Sequence, residues 1–177
     1  LRGLHNYENI MAAIMGVKEL NCSTLSIIYV LKTFAGVEHR LEFVDNINGR
    51  IFYNDTEATN IKCTQIALSS FNEPIIILLG GLERGQKFED LIPYSKNIKA
   101  VIGMGECRER VRKFGESINV PTYIYEYIVE ATKKAYEISS PGDVILLSPG
   151  SASWDQFKQC EDRGDLFKKI VSEFKNK

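Results

Sequence analysis

The 177-residue sequence is short of several things, and each shortage excludes a class of function. It has no surplus of either charge. Its 22 Lys and Arg stand against 23 Asp and Glu, a formal net charge of −1, which excludes the broad basic footprint of a nucleic-acid binder. No apolar run approaches the ~20 residues of a membrane-spanning helix, and no basic-then-apolar stretch of the signal-peptide type opens the chain. Histidine is limited to His5 and His39, too few to assemble a zinc site of three or four ligands. The four cysteines, Cys22, Cys63, Cys107 and Cys160, lie far apart with no CxxC pair. That spacing suggests neither a zinc knuckle nor a redox motif, and reads as reduced thiols of a cytoplasmic protein. The phosphate-binding string GxxxxGK[ST] is also missing.

What is present is the composition of a folded domain, with 44% hydrophobic and 25% charged residues. A chain of this length buries roughly 70% of its unfolded surface and needs no staple. It opens on Leu1 rather than Met, which reads as the cut edge of something longer.

Apolar residues at helical spacing (Ile10, Ala13, Ile14, Val17) predict a helix over 6–19 with Asn6 as its cap. A second helix is predicted over 23–34, with Leu25, Ile28, Leu31 and Lys32 near its buried edge and Gly36 as its stop. The pair has no strand before it and must pack on something. After Gly36 the texture changes. Asn48-Gly49 predicts a hairpin in which Leu41-Glu42-Phe43-Val44 pairs with Arg50-Ile51-Phe52-Tyr53, followed by a polar loop and a helix over 61–70. From Pro74 on, short apolar runs recur about 20 to 24 residues apart: 75–79, 98–102, 122–125 and 144–147. Helical stretches over 107–117, 129–138 and 166–174 follow three of them. The expected fold is α/β, a Rossmann-like, mostly parallel sheet with flanking helices and an edge β-hairpin.

Open parallel sheets bind ligands beyond the carboxyl ends of their strands. After Leu79, Gly80-Gly81-Leu82-Glu83-Arg84-Gly85-Gln86-Lys87 offers either a plain turn or backbone amides beside two cations, which favour an anion. After Leu147, Ser148, Ser151 and Ser153 supply hydroxyls ahead of a predicted helix N-terminus. That segment suits a carboxylate or phosphate, or nothing more than an N-cap at Ser153. No histidine follows to make a serine nucleophilic. In Asn54-Asp55-Thr56-Glu57-Ala58-Thr59-Asn60, Asp55 suits ribose hydroxyls or an Asx-turn. The glycines of Gly103-Met104-Gly105-Glu106 read as structural.

These same residues resemble the Mur ligase family, in order and along the whole chain. His5-Asn6-Tyr7-Glu8-Asn9 is similar to the family's HNxxN, and His39-Arg40 to its HR pair. Asn54 to Asn60 resembles NDSKATN, and Gly80-Gly81-Leu82-Glu83-Arg84-Gly85 resembles GGLDRG. The segment from Leu147 through Ser153-Trp154-Asp155-Gln156-Phe157 resembles LSPACASxDQF, and Arg163-Gly164 the RG that follows it. HNxxN is shared with folylpolyglutamate synthases, whereas the last two long segments together are specific to the D-glutamate-adding members. The resemblance implies that residues 1–36 are the last helices of a central ATP-binding domain and that 37–177 form the Mur ligase C-terminal domain.

It further implies an ADP-forming ligase of peptidoglycan synthesis. ATP and Mg²⁺ activate the carboxylate of UDP-N-acetylmuramoyl-L-alanine as an acyl phosphate, which the amine of D-glutamate attacks. Asn6 and Asn9 would lie near adenine, Arg40 at the phosphates and Asp55 at the ribose. Thr59, Arg84, Ser153 and the backbone near Cys160 would hold D-glutamate. Mg²⁺ would be held mainly by the absent central domain, with no metal ligand on this chain and no catalytic residue assigned. A monomer is expected, and the isolated chain is expected to be inactive. Glu57 stands where the family's loop has Lys, and a carboxylate there repels phosphate and carboxylate alike; Lys62, Lys87 or Lys158 are the candidates to compensate. Trp154 takes a position expected to be aliphatic and would narrow the pocket. Two rival readings remain: a folylpolyglutamate-synthase-like domain, against which the 147–157 segment argues, and a non-catalytic Rossmann-like binding module.

Overall fold

The computed structural model describes residues 1–176. Two helices come first, α1 (Leu4–Glu19) and α2 (Thr24–Thr33). A hairpin follows, β1 (Glu42–Ile47) and β2 (Arg50–Asn54), and then α3 (Ile61–Leu68). The remainder alternates: β3 (Ile75–Gly80), a 3-10 helix (Phe88–Asn97), β4 (Ile98–Met104), α4 (Arg108–Ser117), β5 (Thr122–Ile124), α5 (Ile128–Ile138), β6 (Val144–Leu147) and α6 (Cys160–Glu173). The six strands form one sheet in the order β1-β2-β6-β3-β4-β5, antiparallel at the hairpin and parallel everywhere else.

The apolar runs are continuous because both faces of the sheet are covered. In β3, Ile76 and Leu78 point into a core with Phe52, Ala131 and Phe167 under α5 and α6. Ile75, Ile77 and Leu79 point into a second core with Leu68, Leu91, Val111 and Phe114 under α3, the 3-10 helix and α4. All five β3 residues are fully buried, and each contributes roughly 1.5–3 kcal/mol. The 3-10 helix was not predicted; Pro93 inside it stops an α-helix from forming.

The hairpin turn is as expected: Asn48 and Gly49 both take positive φ (52° and 79°), the type I′ geometry that glycine permits. Its register differs. Ile47 opposes Arg50, but a bulge at Val44 sets Phe43 opposite Tyr53 and leaves Leu41 outside the strand.

Two helix starts also differ. Asn6 lies inside the first turn of α1, whose cap is Gly3, and the Asn6 amide donates to the Arg2 carbonyl at 2.6 Å. Ser153 caps no helix. The last helix starts at Cys160, earlier than predicted, through a capping box between Gln159 and Asp162. Finally, α1 and α2 bury no residue: Leu25 is 80% exposed, and the apolar faces of the two helices look at each other across a groove of about 570 Å³ rather than onto the sheet. Arg2 ties their start to the sheet. It forms a two-pronged pair with Glu73 (2.8 and 3.0 Å), donates to the Tyr53 hydroxyl and lies over the Phe71 ring. Among the described residues no helix is long and apolar enough to cross a membrane.

Candidate functional site

Three loops meet at the carboxyl edge of the sheet: 55–60 after β2, 81–87 after β3 and 148–159 after β6. Backbone hydrogen bonds join them. Asp55 donates to Leu147 and Gly150 to Ala58, both at 2.8 Å; Leu82 donates to Ala152 and Gly80 to Pro149, both at 2.9 Å. Gly81 is required here, because at its φ of 147° a Cβ would strike the Ala152 carbonyl. Its freedom therefore serves loop against loop.

Asp55 is buried at the joint of loop and sheet. Its Oδ1 accepts from the Leu41 amide (3.1 Å) and its Oδ2 from the Ser148 hydroxyl (2.8 Å). It forms neither an Asx-turn nor a cap, and both oxygens are turned inward. Burial pushes its carboxyl up to about 6, against the opposing pull of those two donors. Thr59 is half-buried in the turn that follows.

Arg40 and Glu57 meet directly at 3.2 Å, with the arginine mostly exposed and the glutamate one-quarter exposed. The other Glu57 oxygen accepts from the Cys160 thiol at 3.4 Å. Burial first, and then the two carboxylates Glu161 and Glu57, push that thiol up to about 11, so it stays protonated and unreactive. The structure thus brings Arg40, Glu57 and Cys160 together, and Glu57 holds the nearest cation.

Arg84 lies with its guanidinium over the Trp154 ring, 4.6 Å from the centroid. Trp154 remains 60% exposed. Ser153 beside it is buried, and its hydroxyl has no hydrogen-bond partner among the described residues. Asn6 and Asn9 are not brought to these loops: both line the apolar groove between α1 and α2.

One residue of the site carried no role in the sequence reading. Arg163, 2% exposed, donates to the Thr56 hydroxyl and carbonyl (both 3.0 Å), the Ser151 carbonyl (3.1 Å) and the Gly80 carbonyl (3.4 Å). It therefore holds the 55–60 and 148–159 loops and the end of β3 from behind. Burial without a carboxylate in contact pulls its guanidinium down to about 10. The signal was available: Arg163 shares the α6 face of Phe167, Ile170 and Val171, a cation in an apolar stripe. Predicting the helix from 166 hid that phase.

Two clusters of three potential metal ligands occur among the described residues, and neither suits Mg²⁺. Glu57, Cys160 and Glu161 include a soft thiol, and Arg40 already sits on Glu57. In Glu38, His39 and Asp165, His39 Nδ1 accepts from the Asn54 amide at 2.9 Å, so the ring hydrogen is on Nε2, and Lys168 pairs with both acids.

A mostly parallel six-stranded sheet covered on both faces, with its glycine-, hydroxyl- and arginine-bearing loops gathered at the carboxyl edge, defines a Rossmann-like α/β domain. Residues 39–150, more than half of the chain, match the family described as "Mur ligase, glutamate ligase domain", and the chain belongs to that family. It is 48% identical over 177 residues to the UDP-N-acetylmuramoylalanine–D-glutamate ligase of Geobacillus kaustophilus, covering 99% of this chain and 39% of that protein. It is 50% identical over 172 residues to the ligase of the same name from Bacillus cereus (strain AH187), covering 97% of this chain and 38% of that protein. The chain therefore spans well under half the length of these relatives. Among solved structures, UDP-N-acetylmuramate–alanine ligase of Thermotoga maritima superposes with a TM-score of 0.71 at 18% identity, covering 98% of this chain and 39% of that one. Folylpolyglutamate synthase of the same organism gives 0.62 at 21% identity, covering 85% and 37%. At such identities these two establish the shared fold and do not separate the chemistries.

Proposed function

We propose that this chain is the ATP- and D-glutamate-contacting C-terminal part of an ADP-forming ligase that adds D-glutamate to UDP-N-acetylmuramoyl-L-alanine during peptidoglycan synthesis in the cytoplasm. Residues 37–177 are its C-terminal domain and 1–36 the last helices of its central domain, in a monomeric enzyme. The observation that supports this most is the pairing on adjacent loops of Arg84, which has no ion pair among the described residues, with Ser153, a buried hydroxyl without a partner. A dicarboxylate amino acid supplies what both lack, because a guanidinium and a hydroxyl are good donors to carboxylates. Thr59 and the backbone at Cys160 complete that subsite.

Arg40 faces the nucleotide phosphates and Asp55 the ribose; Asn6 and Asn9, which line the groove between α1 and α2, meet the adenine once that helix pair and the loops come together in the full-length enzyme. ATP, when bound, supplies the phosphoryl group that activates the acceptor carboxylate. This chain's residues bind and orient, and none of them holds Mg²⁺, which the rest of the protein carries. To receive nucleotide, Arg40 must exchange Glu57 for phosphate, and Asp55 must exchange an inward donor for a hydroxyl.

The test is ligation by the full-length protein, with UDP-N-acetylmuramoyl-L-alanine, ATP, Mg²⁺ and radiolabelled D-glutamate. The expected result is a UDP-linked dipeptide formed in step with ADP and phosphate, and no turnover by the 177-residue chain alone. Transfer of L-glutamate to a folate instead would replace this reading with the folylpolyglutamate one. Absence of any ATP turnover by the full-length protein would leave a binding module.

A further inference from the structure

We propose that Trp154 is a positioning residue for the amino-acid substrate: its indole holds the Arg84 guanidinium in place, so that the arginine's N–H groups are presented to a carboxylate of the acidic amino-acid substrate. This rests on the reading above that Arg84 and Ser153 hold D-glutamate, and adds how an arginine on an exposed loop comes to be aimed.

The 81–87 and 148–159 loops run side by side where the Leu82 amide donates to the Ala152 carbonyl at 2.9 Å, and Arg84 and Trp154 each lie two residues further on. Trp154, the only tryptophan in the sequence, leaves 60% of its surface in solvent, which core packing does not explain. Its one ring contact with a cation is Arg84, at 4.6 Å. Neighbouring acids do not claim that guanidinium. Glu83 is taken by Arg110 and by the Gly85 amide, both at 2.7 Å, and Asp155 accepts from the Glu106 amide at 3.2 Å. The contact uses the face of the indole, and no described residue accepts from the Arg84 guanidinium, so its N–H groups remain available for a two-pronged carboxylate pair. It also confines a side chain that otherwise samples many rotamers. Without the indole the cation remains but its aim is lost.

The experiment compares full-length wild-type ligase with Trp154→Leu and Trp154→Phe in steady-state kinetics. Position 154 is exposed, so folding is not at stake. For Trp154→Leu the D-glutamate KM should rise roughly two- to fivefold, the scale of an exposed cation–π contact, with kcat and the ATP KM unchanged. Trp154→Phe should recover most of the loss. An unchanged D-glutamate KM in an active Trp154→Leu enzyme overturns the inference and leaves the proposed function standing. A common fall in kcat with rises in both KM values overturns it too, because the residue would then be supporting the fold. A wild-type enzyme that ligates no D-glutamate overturns the proposed function, and this inference with it.

Discussion

Replacing Glu57 by glutamine tests whether the acid in the lysine position restrains Arg40 or belongs to the working site. The pair measures 3.2 Å, with side chains 63% and 25% exposed. Exposed pairs of this kind contribute about 0–1 kcal/mol, so the variant should lose at most about 1 kcal/mol of stability. The effect on nucleotide should be larger. A unit charge about 6 Å from a phosphate is worth about 0.7 kcal/mol at a dielectric of 80 and about 2.8 kcal/mol at 20. The exposure of Arg40 argues for the lower half of that range, so the ATP KM of the full-length Glu57→Gln enzyme should fall by about threefold to tenfold. Glu57→Lys adds a cation as well and should fall further. Both gains should shrink at 0.5 M salt, because the interaction is screened at that ionic strength within about one contact distance. The assay is ligation kinetics with ATP varied at two ionic strengths, beside a urea melt. An ATP KM that stays constant or rises in Glu57→Gln refutes the reasoning: the carboxylate would then be contributing to the site, and its contact with Arg40 would be incidental.

Two further predictions concern the buried charges behind the loops. Asp55 is pushed up to about 6, above its ordinary 3.8, so its contribution to stability is fully present below about pH 4 and is lost as pH rises through 6. Relative to Asp55→Asn, the wild type should therefore lose about 2–3 kcal/mol between pH 4 and pH 7.5; urea melts at both pH values check this, and a constant gap refutes it. Arg163→Met should destabilise by about 2–3 kcal/mol, because the carbonyls of Thr56, Ser151 and Gly80 lose their donor; a variant as stable as wild type by the same melts would mean that the cost of burying the cation cancels its bonds.

The sheet was legible in the sequence because its central strands are covered on both faces, which produces short, β-branched runs such as 75–79 and 144–147 without alternation, bounded by turn residues. The hairpin turn was legible from Asn48-Gly49 alone. Its register was not, since the bulge at Val44 has no residue signature of its own. The start of α6 was missed because its cap is Gln159, outside the usual Ser, Thr, Asp and Asn, while Ser153 offered a conventional cap that the backbone does not use. At the candidate site, glycines, hydroxyls and cations marked three loops that the sheet brings together. What they touch was not readable: Arg40 meets Glu57 across 17 residues, and Arg84 meets Trp154 across 70. Both are side-chain pairings between loops whose separation depends on the sheet order. The apolar stripes of α1 and α2 predicted burial, and they face each other across a groove because nothing else among the described residues covers them.

The three arginines of the site are in three different states, and this sets an order on what the site can do. Arg163 is enclosed and committed to carbonyls, so its charge contributes a fixed potential behind the loops and no direct contact. Arg84 is held by an aromatic face and keeps its N–H groups available. Arg40 is held by a carboxylate, which competes with any phosphate for the same donors. On the nucleotide side Arg40 and Asp55 must each give up an existing partner before the phosphates and ribose gain one. On the amino-acid side Arg84 and Ser153 give up none. In the proposed enzyme the D-glutamate subsite is therefore formed within this chain, whereas the nucleotide subsite is completed only when binding energy from the rest of the protein and from ATP itself offsets two exchanges.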